Sequence, residues 1–288
     1  MGNPRIVKER IASVEKIKKI ANALQIVALT RLKQMEKETI NSRYYFDKIR
    51  DLLFDVGINI NFRVHPFFED KPGVKKAGII AVFSDKGLCG SFNNSVAHKL
   101  KEFSATLKGR SVEVAAVGKK GAKFVKELEG CALMGVFPSS EKETLDRLSE
   151  IVHPFIEKFL KKETGEIFLL YSHFKLHLLG EAKIIKLLPF PLEKKDNRKT
   201  PYDRDYVYEP SARDVFDALV RRYIGNQIHH AILESRSAEE MSRMLAMKSA
   251  SDNATEMIKK LELVYNRSRQ EQITRELADV INAAKAAV

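Results

Sequence analysis

Residues 83–93 read FSDKGLCGSFN, a run that sets Asp85, Lys86 and the thiol of Cys89 among two glycines, directly behind the apolar stretch AGIIAVF (77–83). Phosphate binding and nucleophilic attack are the two chemistries such a run suggests. A phosphate loop needs G-x-x-x-x-G-K followed by Ser or Thr, whereas Lys86 precedes its glycine. A nucleophile elbow needs G-x-S-x-G, and Gly87-Leu88-Cys89-Gly90 is one residue short. Two readings stay open. One is a tight strand-to-helix turn with Asn93 or Asn94 as the helix cap. The other is a binding loop at the carboxyl end of a strand, where α/β folds place ligands.

Other chemistry is sparse. His173 and His177 in HFKLH share one face of a strand but have no evident third ligand. VGKKGAKF (117–124) lacks the G-x-G-x-x-G spacing and reads as a turn that starts a helix. Cys89 and Cys131 form no C-x-x-C pair, which points to a reducing compartment without a disulfide framework. No Ser/His/Asp order, paired-carboxylate motif or zinc spacing stands out, so no catalytic site, metal or cofactor is expected in this chain alone.

The elements around this run follow from where glycine and proline fall. Neither occurs from Arg5 to Val56 or from Asn226 to Val288, so two long helices flank a punctuated middle. At 1.5 Å per residue the two runs would extend about 78 and 95 Å, beyond a small domain, and each needs a partner. Apolar residues recur at threes and fours: Val7, Ile11, Val14, Ile17, Ala21, Leu24, Ala28, Leu32 and Met35 in the first run; Met244, Met247, Ala254, Ile258, Leu261, Tyr265, Ile273, Leu277 and Val280 in the second. This is a coiled-coil seam, most simply antiparallel because one run opens the chain and the other closes it.

Between them, strand-like runs at 77–83, 112–118, 132–137, 166–172 and 182–190 alternate with helical patterns near 94–105, 119–128 and 142–161. The order βαβαβαββ predicts a mostly parallel, helix-covered sheet. The fold class is therefore α/β: a long antiparallel coiled coil of the terminal helices with an inserted Rossmann-like domain. Its expected division is a coiled-coil helix over 1–60, the α/β domain over 75–205 and a second coiled-coil helix over 211–288.

Charge is uneven. Residues 1–50 carry 12 Lys and Arg against 5 Asp and Glu, +7 of a formal total of +12, which suits an acidic protein surface, nucleic acid or simply a solvated helix face. The longest apolar runs fall far short of the roughly 20 residues that span a bilayer. The first residues, MGNPRIVKERIASVEK, lack the apolar core of a signal peptide, and Ile6 breaks the myristoylation pattern.

Four stretches carry a family resemblance: RIASVEKIKKIANALQIVA (10–28), FSDKGLCGSFN (83–93), DYVYEP with ALVRRYIGNQIHHAILES (205–210 and 218–235), and residues 239–288, which contain RMLAMKSASDNA and LVYNRSRQEQIT. Together they resemble the gamma subunit of F-type ATP synthases, the central rotor shaft. The resemblance implies a coiled coil that penetrates a hexamer of alpha and beta subunits, and an α/β domain at its foot beside the epsilon subunit and the membrane c-ring. It implies a role in coupling proton or sodium flow to ATP synthesis or hydrolysis. It places the chain peripherally on the cytoplasmic face of a bacterial inner membrane.

By motif, Arg269, Gln270 and Thr274 resemble residues that contact a beta-subunit loop, and Asp85 with Lys86 resembles a turn that approaches the beta subunits. The coiled-coil core is expected at Ile11, Val14, Leu24, Met247, Ala254, Ile258 and Leu261. Leu24 and Ile26 stand where the family commonly has Met, Ser91 where it has Gly, and Arg275 where it has Gln. The cysteine-containing insert of the chloroplast form is absent, and thiol control is not predicted. A hinge-type coiled-coil protein bound to nucleic acid is the alternative from another class, and it predicts salt-sensitive DNA binding. A small α/β nucleotide hydrolase is the other, and it predicts nucleotide binding by the isolated chain.

Overall fold

The computed structural model describes residues 4–59, 65–107, 109–139, 145–175, 178–190 and 207–286. In chain order the elements are α1 (Pro4–Asn59), β1 (Lys76–Val82), α2 (Phe92–Thr106), β2 (Ser111–Val117), α3 (Gly121–Lys126), β3 (Cys131–Phe137), α4 (Leu145–Leu160), β4 (Glu166–Lys175), β5 (Leu178–Leu188) and α5 (Ala212–Ala286). This is the βαβαβαββ order between two long helices that the glycine and proline punctuation predicts. The chain divides into two compact units: Arg31–Ser242, the sheet unit, and Met1–Thr30 with Arg243–Val288, the helical unit.

In the sheet unit the strands lie in the order β3-β2-β1-β4-β5. β1 pairs in parallel with β2 and β4, β2 in parallel with β3, and β5 closes the edge antiparallel to β4. Because both faces are covered, successive residues of β1 enter different cores: Ile79 and Ala81 on one side, Ile80 and Val82 on the other. The first face meets Val96 and Leu100 of α2 and Val125 of α3. The second meets Phe155 and Phe159 of α4, Ile49 and Leu53 of α1, and Phe216, Val220, Ile224 and Ile228 of α5. Each long helix thus spends part of its length as a cover of the sheet.

Within this unit the helix pair runs antiparallel. Going up α1, Arg31 pairs with Glu240, Thr39 meets Ser237, Ser42 meets His230, and Tyr45 accepts from Arg222, so α5 descends as α1 climbs.

In the helical unit, Val7, Val14, Ala21 and Ala28 are buried at seven-residue intervals, and Ile11, Lys18 and Gln25 are half-buried between them. On α5, Met247, Ser251 and Ala254 are buried and Ile258, Leu261, Tyr265 and Ser268 half-buried, again at threes and fours. That is a period of 3.5, the coiled-coil repeat. Counting apolar residues alone puts Ile17 on the seam, but its side chain is 57% exposed and Lys18 takes the covered position. The reason is phase: a strict 4-3 alternation from Val7 reaches residue 18, and Lys can lay its methylene stem along a seam while its ammonium stays in water. Ile273, Leu277 and Val280, expected to continue the seam, are exposed.

Candidate functional site

The run 83–91 leaves the carboxyl end of β1 and enters α2. Phe83 still extends the sheet, its N–H donating to Val117 O at 2.6 Å. The chain then folds over one side chain, Asn93. Its Oδ1 accepts from Ser84 N at 3.0 Å, and its Nδ2 donates to Ser84 Oγ at 2.7 Å and lies 3.4 Å from Cys89 Sγ. Ser84 Oγ in turn donates to Lys86 O at 2.7 Å. Asn93 is therefore not the helix cap. Ser91 occupies that position, without a side-chain capping bond, and Asn93 is the second residue of α2, reaching back to hold the turn.

A second loop braces the first. Lys119 N donates to Asp85 Oδ1 at 2.9 Å, and Lys120 N to Ser84 O at 3.0 Å. Here lies the close backbone approach: a Cβ on Gly118, at φ +111°, would fall 2.1 Å from Phe83 O. Gly87, by contrast, has nothing within 4 Å of the space its Cβ would fill. GKKG forms the turn that starts α3, as its spacing predicts.

Once Asn93, Asp85 and the second loop have fixed the base, the tip is Lys86, Gly87 and Leu88, all exposed. Leu88 is 64% exposed and holds φ at 61°, a left-handed conformation that costs a branched side chain free energy. Cys89 points the other way: it is buried with Phe92 against Ala238 of α5, and its carbonyl accepts from Ser242 Oγ at 2.6 Å. Its thiol packs as a small apolar group, not as an accessible nucleophile. Ser91, at φ −85°, needs no glycine.

The polar residues near the end of α5 are set differently. Arg269 and Gln270 are exposed, and the Thr274 hydroxyl donates to Gln270 O at 2.9 Å, a local helix bond. Of the expected core positions, Val14, Met247 and Ala254 are buried, and Ile11, Leu24, Ile258 and Leu261 are half-buried.

Comparison with known proteins decides the family. A family model described as ATP synthase matches residues 3–287. The chain is 34% identical to the ATP synthase gamma chain of Paraburkholderia phytofirmans over 296 residues, covering 99% of this chain and 100% of that one. It is 32% identical to that of Cupriavidus pinatubonensis at the same coverage. The chain belongs to the ATP synthase gamma-chain family. Among solved structures, it matches a chain of the mitochondrial ATP synthase of Euglena gracilis with a TM-score of 0.69 at 16% identity, covering 98% of this chain and 94% of that one. A chain in a structure of the central stalk and c-ring of the Tetrahymena thermophila mitochondrial ATP synthase gives 0.62 at 22% identity, covering 81% of this chain and 99% of that one. These two share the fold. Gamma chains are non-catalytic subunits of the ATP synthase complex, and neither the nucleic-acid nor the hydrolase alternative is supported by these relatives. No helix among the described residues of this gamma-family chain is long and apolar enough to cross a membrane.

One polar cluster escapes motif reasoning. Glu234 of α5 is buried, its Oε2 2.7 Å from His173 Nδ1 on β4 and its Oε1 3.2 Å from His230 Nε2; His230 Nδ1 lies 2.7 Å from Ser42 Oγ on α1. Burial alone would raise the Glu234 carboxyl; the hydrogen bonds and charges of His230 and His173 outweigh it and hold it below the usual carboxylate range. Tyr171, next to it on β4, is pushed up to about 12, first by burial and then by the Glu234 charge. His177 lies outside the described residues. The signal available in the sequence is ILESRSAEEMS (232–242), small and polar side chains inside an otherwise apolar helix face.

Proposed function

We infer that this chain is the central rotor shaft of an F-type ATP synthase, which transmits rotation between the membrane c-ring, driven by proton or sodium flow, and the catalytic beta subunits. The supporting observation is that a folded sheet and an antiparallel helix pair share two unbroken helices, α1 and α5, free of glycine and proline over most of their length. A shaft must be stiff to carry torque, and the helix-breaking residues are missing where stiffness is needed. In this reading the alpha and beta subunits surround the helical unit, and the epsilon subunit and c-ring meet the sheet unit. The complex sits on the cytoplasmic face of a bacterial inner membrane.

Asp85, Lys86, Arg269, Gln270 and Thr274 contact the beta subunits in this reading. The rigid base and exposed tip of the 83–91 turn suit docking, since its fold is complete before a partner arrives. An asymmetric shaft presents a different face to each of three catalytic sites, so turning it alters their affinities in sequence.

Reconstitution tests the function. Purified chain is mixed with alpha and beta subunits from the same source, and ATP hydrolysis is measured with and without it. Active hexamers that form only with the chain, while the chain alone hydrolyses nothing, support the rotor. Failure to join the hexamer, or hydrolysis by the chain alone, overturns it. Replacing Arg269 and Gln270 together by Ala is expected to weaken coupling more than assembly; unchanged ATP-driven rotation and synthesis would remove these residues from the beta contact.

A further inference from the structure

Along α5, residues 234–242 tie the helix to three other parts of the sheet unit. Ser172 N on β4 donates to Ser235 Oγ at 2.9 Å, Ser237 Oγ meets Thr39 Oγ1 of α1 at 3.3 Å, and Ser242 Oγ holds the Cys89 carbonyl of the turn. All three serines are buried. Helix and sheet also approach closely here, because a Cβ on Gly180 of β5 would lie 2.6 Å from Ala238 Cβ. Glu234 stands at one end of this segment, between His173 and His230.

Interdigitated apolar side chains hold a helix against a sheet, and polar ties add a directional constraint to that packing. A hydrogen bond is directional, and a buried carboxylate that leaves its partners is uncompensated. Polar side chains sealed inside such a contact therefore fix its register.

We propose that Glu234 is a positioning residue of the shaft: its carboxylate, bridging His173 on the sheet and His230 on the helix that Ser42 of α1 also holds, locks the sheet to the helix pair so that torque passes between them without slip. The proposal rests on the rotor reading and adds the joint at which load crosses from sheet to helices. The lowered Glu234 carboxyl and the raised Tyr171 phenol agree with a carboxylate held charged in that pocket.

The test uses the assembled complex of alpha, beta and this chain, with the beta subunits fixed to a surface and a bead attached through Lys101→Cys on the exposed face of α2. Rotation of the wild-type bead on ATP comes first; a bead that never turns defeats the rotor reading itself, before any variant is compared. The angular spread of the bead in the stalled complex then reports the torsional stiffness of the joint. Glu234–His173 and Ser235–Ser172 are among the polar ties from this segment to β4, so Glu234→Ala, which removes one of them, is expected to increase the angular variance by up to roughly twofold. Glu234→Gln keeps the shape but exchanges one accepting oxygen for a donor, so it retains at most part of the tie and should give a spread between wild type and Glu234→Ala. Wild-type variance in Glu234→Ala overturns the proposal. If Glu234→Ala does not assemble, His173→Ala reads the same tie from the sheet side: broadening supports the joint and wild-type variance overturns it.

Discussion

The sheet unit and the helical unit solve the burial problem in opposite ways. β1 and its neighbours are sealed on both faces by α4, α2, α3 and parts of the long helices, and every residue of β1 after the first is buried. The helical unit buries one narrow seam made largely of Val, Ala, Met and Ser, while Ile6, Ile17, Ile20, Ile26, Leu263 and Val264 stay exposed. A sealed sheet is stable by its own core. A two-helix seam of small residues leaves apolar side chains on several faces, as suits helices whose remaining surface is covered by a surrounding protein.

The largest test of that contrast is a matched pair of truncations. Phe159→Ala, in the sealed core, is expected to destabilise the chain by about 3–5 kcal/mol, whereas Leu263→Ala, 72% exposed, should stay within about 0.5 kcal/mol; urea unfolding measures both. A large cost at Leu263 would mean that the helices bury more of each other than one seam.

Glycines sharpen the comparison within the sheet unit. Gly118→Ala should cost about 2–3 kcal/mol or more, since it joins a left-handed backbone to a clash with Phe83 O, and Gly87→Ala should leave the melting temperature almost unchanged. Equal costs would show that the two loops do not divide the work as base and tip. At the tip itself, Leu88→Gly relieves the positive φ and should stabilise the isolated chain by up to about 1 kcal/mol, read by thermal unfolding. A loss of stability there would mean that the Leu88 side chain packs within the chain.

The smallest effect is spectroscopic. Because Tyr171 ionises near 12 in the folded protein and near 10 when unfolded, its contribution to stability is present below pH 10 and is lost as pH rises from 10 to 12. An absorbance titration should show Tyr171 ionising late, and Glu234→Gln should move that step down. An unchanged late step would separate Tyr171 from the carboxylate.

How much of this was legible depended on the range of the interaction. The order of strands and helices follows from glycine, proline and apolar runs, and the structure has that order. Helix phase was less legible: apolarity pointed to Ile17, but the repeat runs through Lys18. In the turn, the spacing indicated a strand-to-helix connection and misassigned Asn93 or Asn94 as its cap in place of Ser91, because a side chain that caps and one that reaches back nine residues to Ser84 are the same letter. His173 offered itself as half of a histidine pair in sequence, while its partner Glu234 lies 61 residues away.

By itself, then, the sequence determined the two unbroken helices, the alternating middle and the family, since each rests on backbone preference, short-range periodicity or contiguous motif. Tertiary structure alone decided which loop supplies the close approach, where Asn93 points and that Glu234 joins β4 to α5. Those depend on the register between segments remote in the chain, where a shift of one residue would turn each side chain to another face.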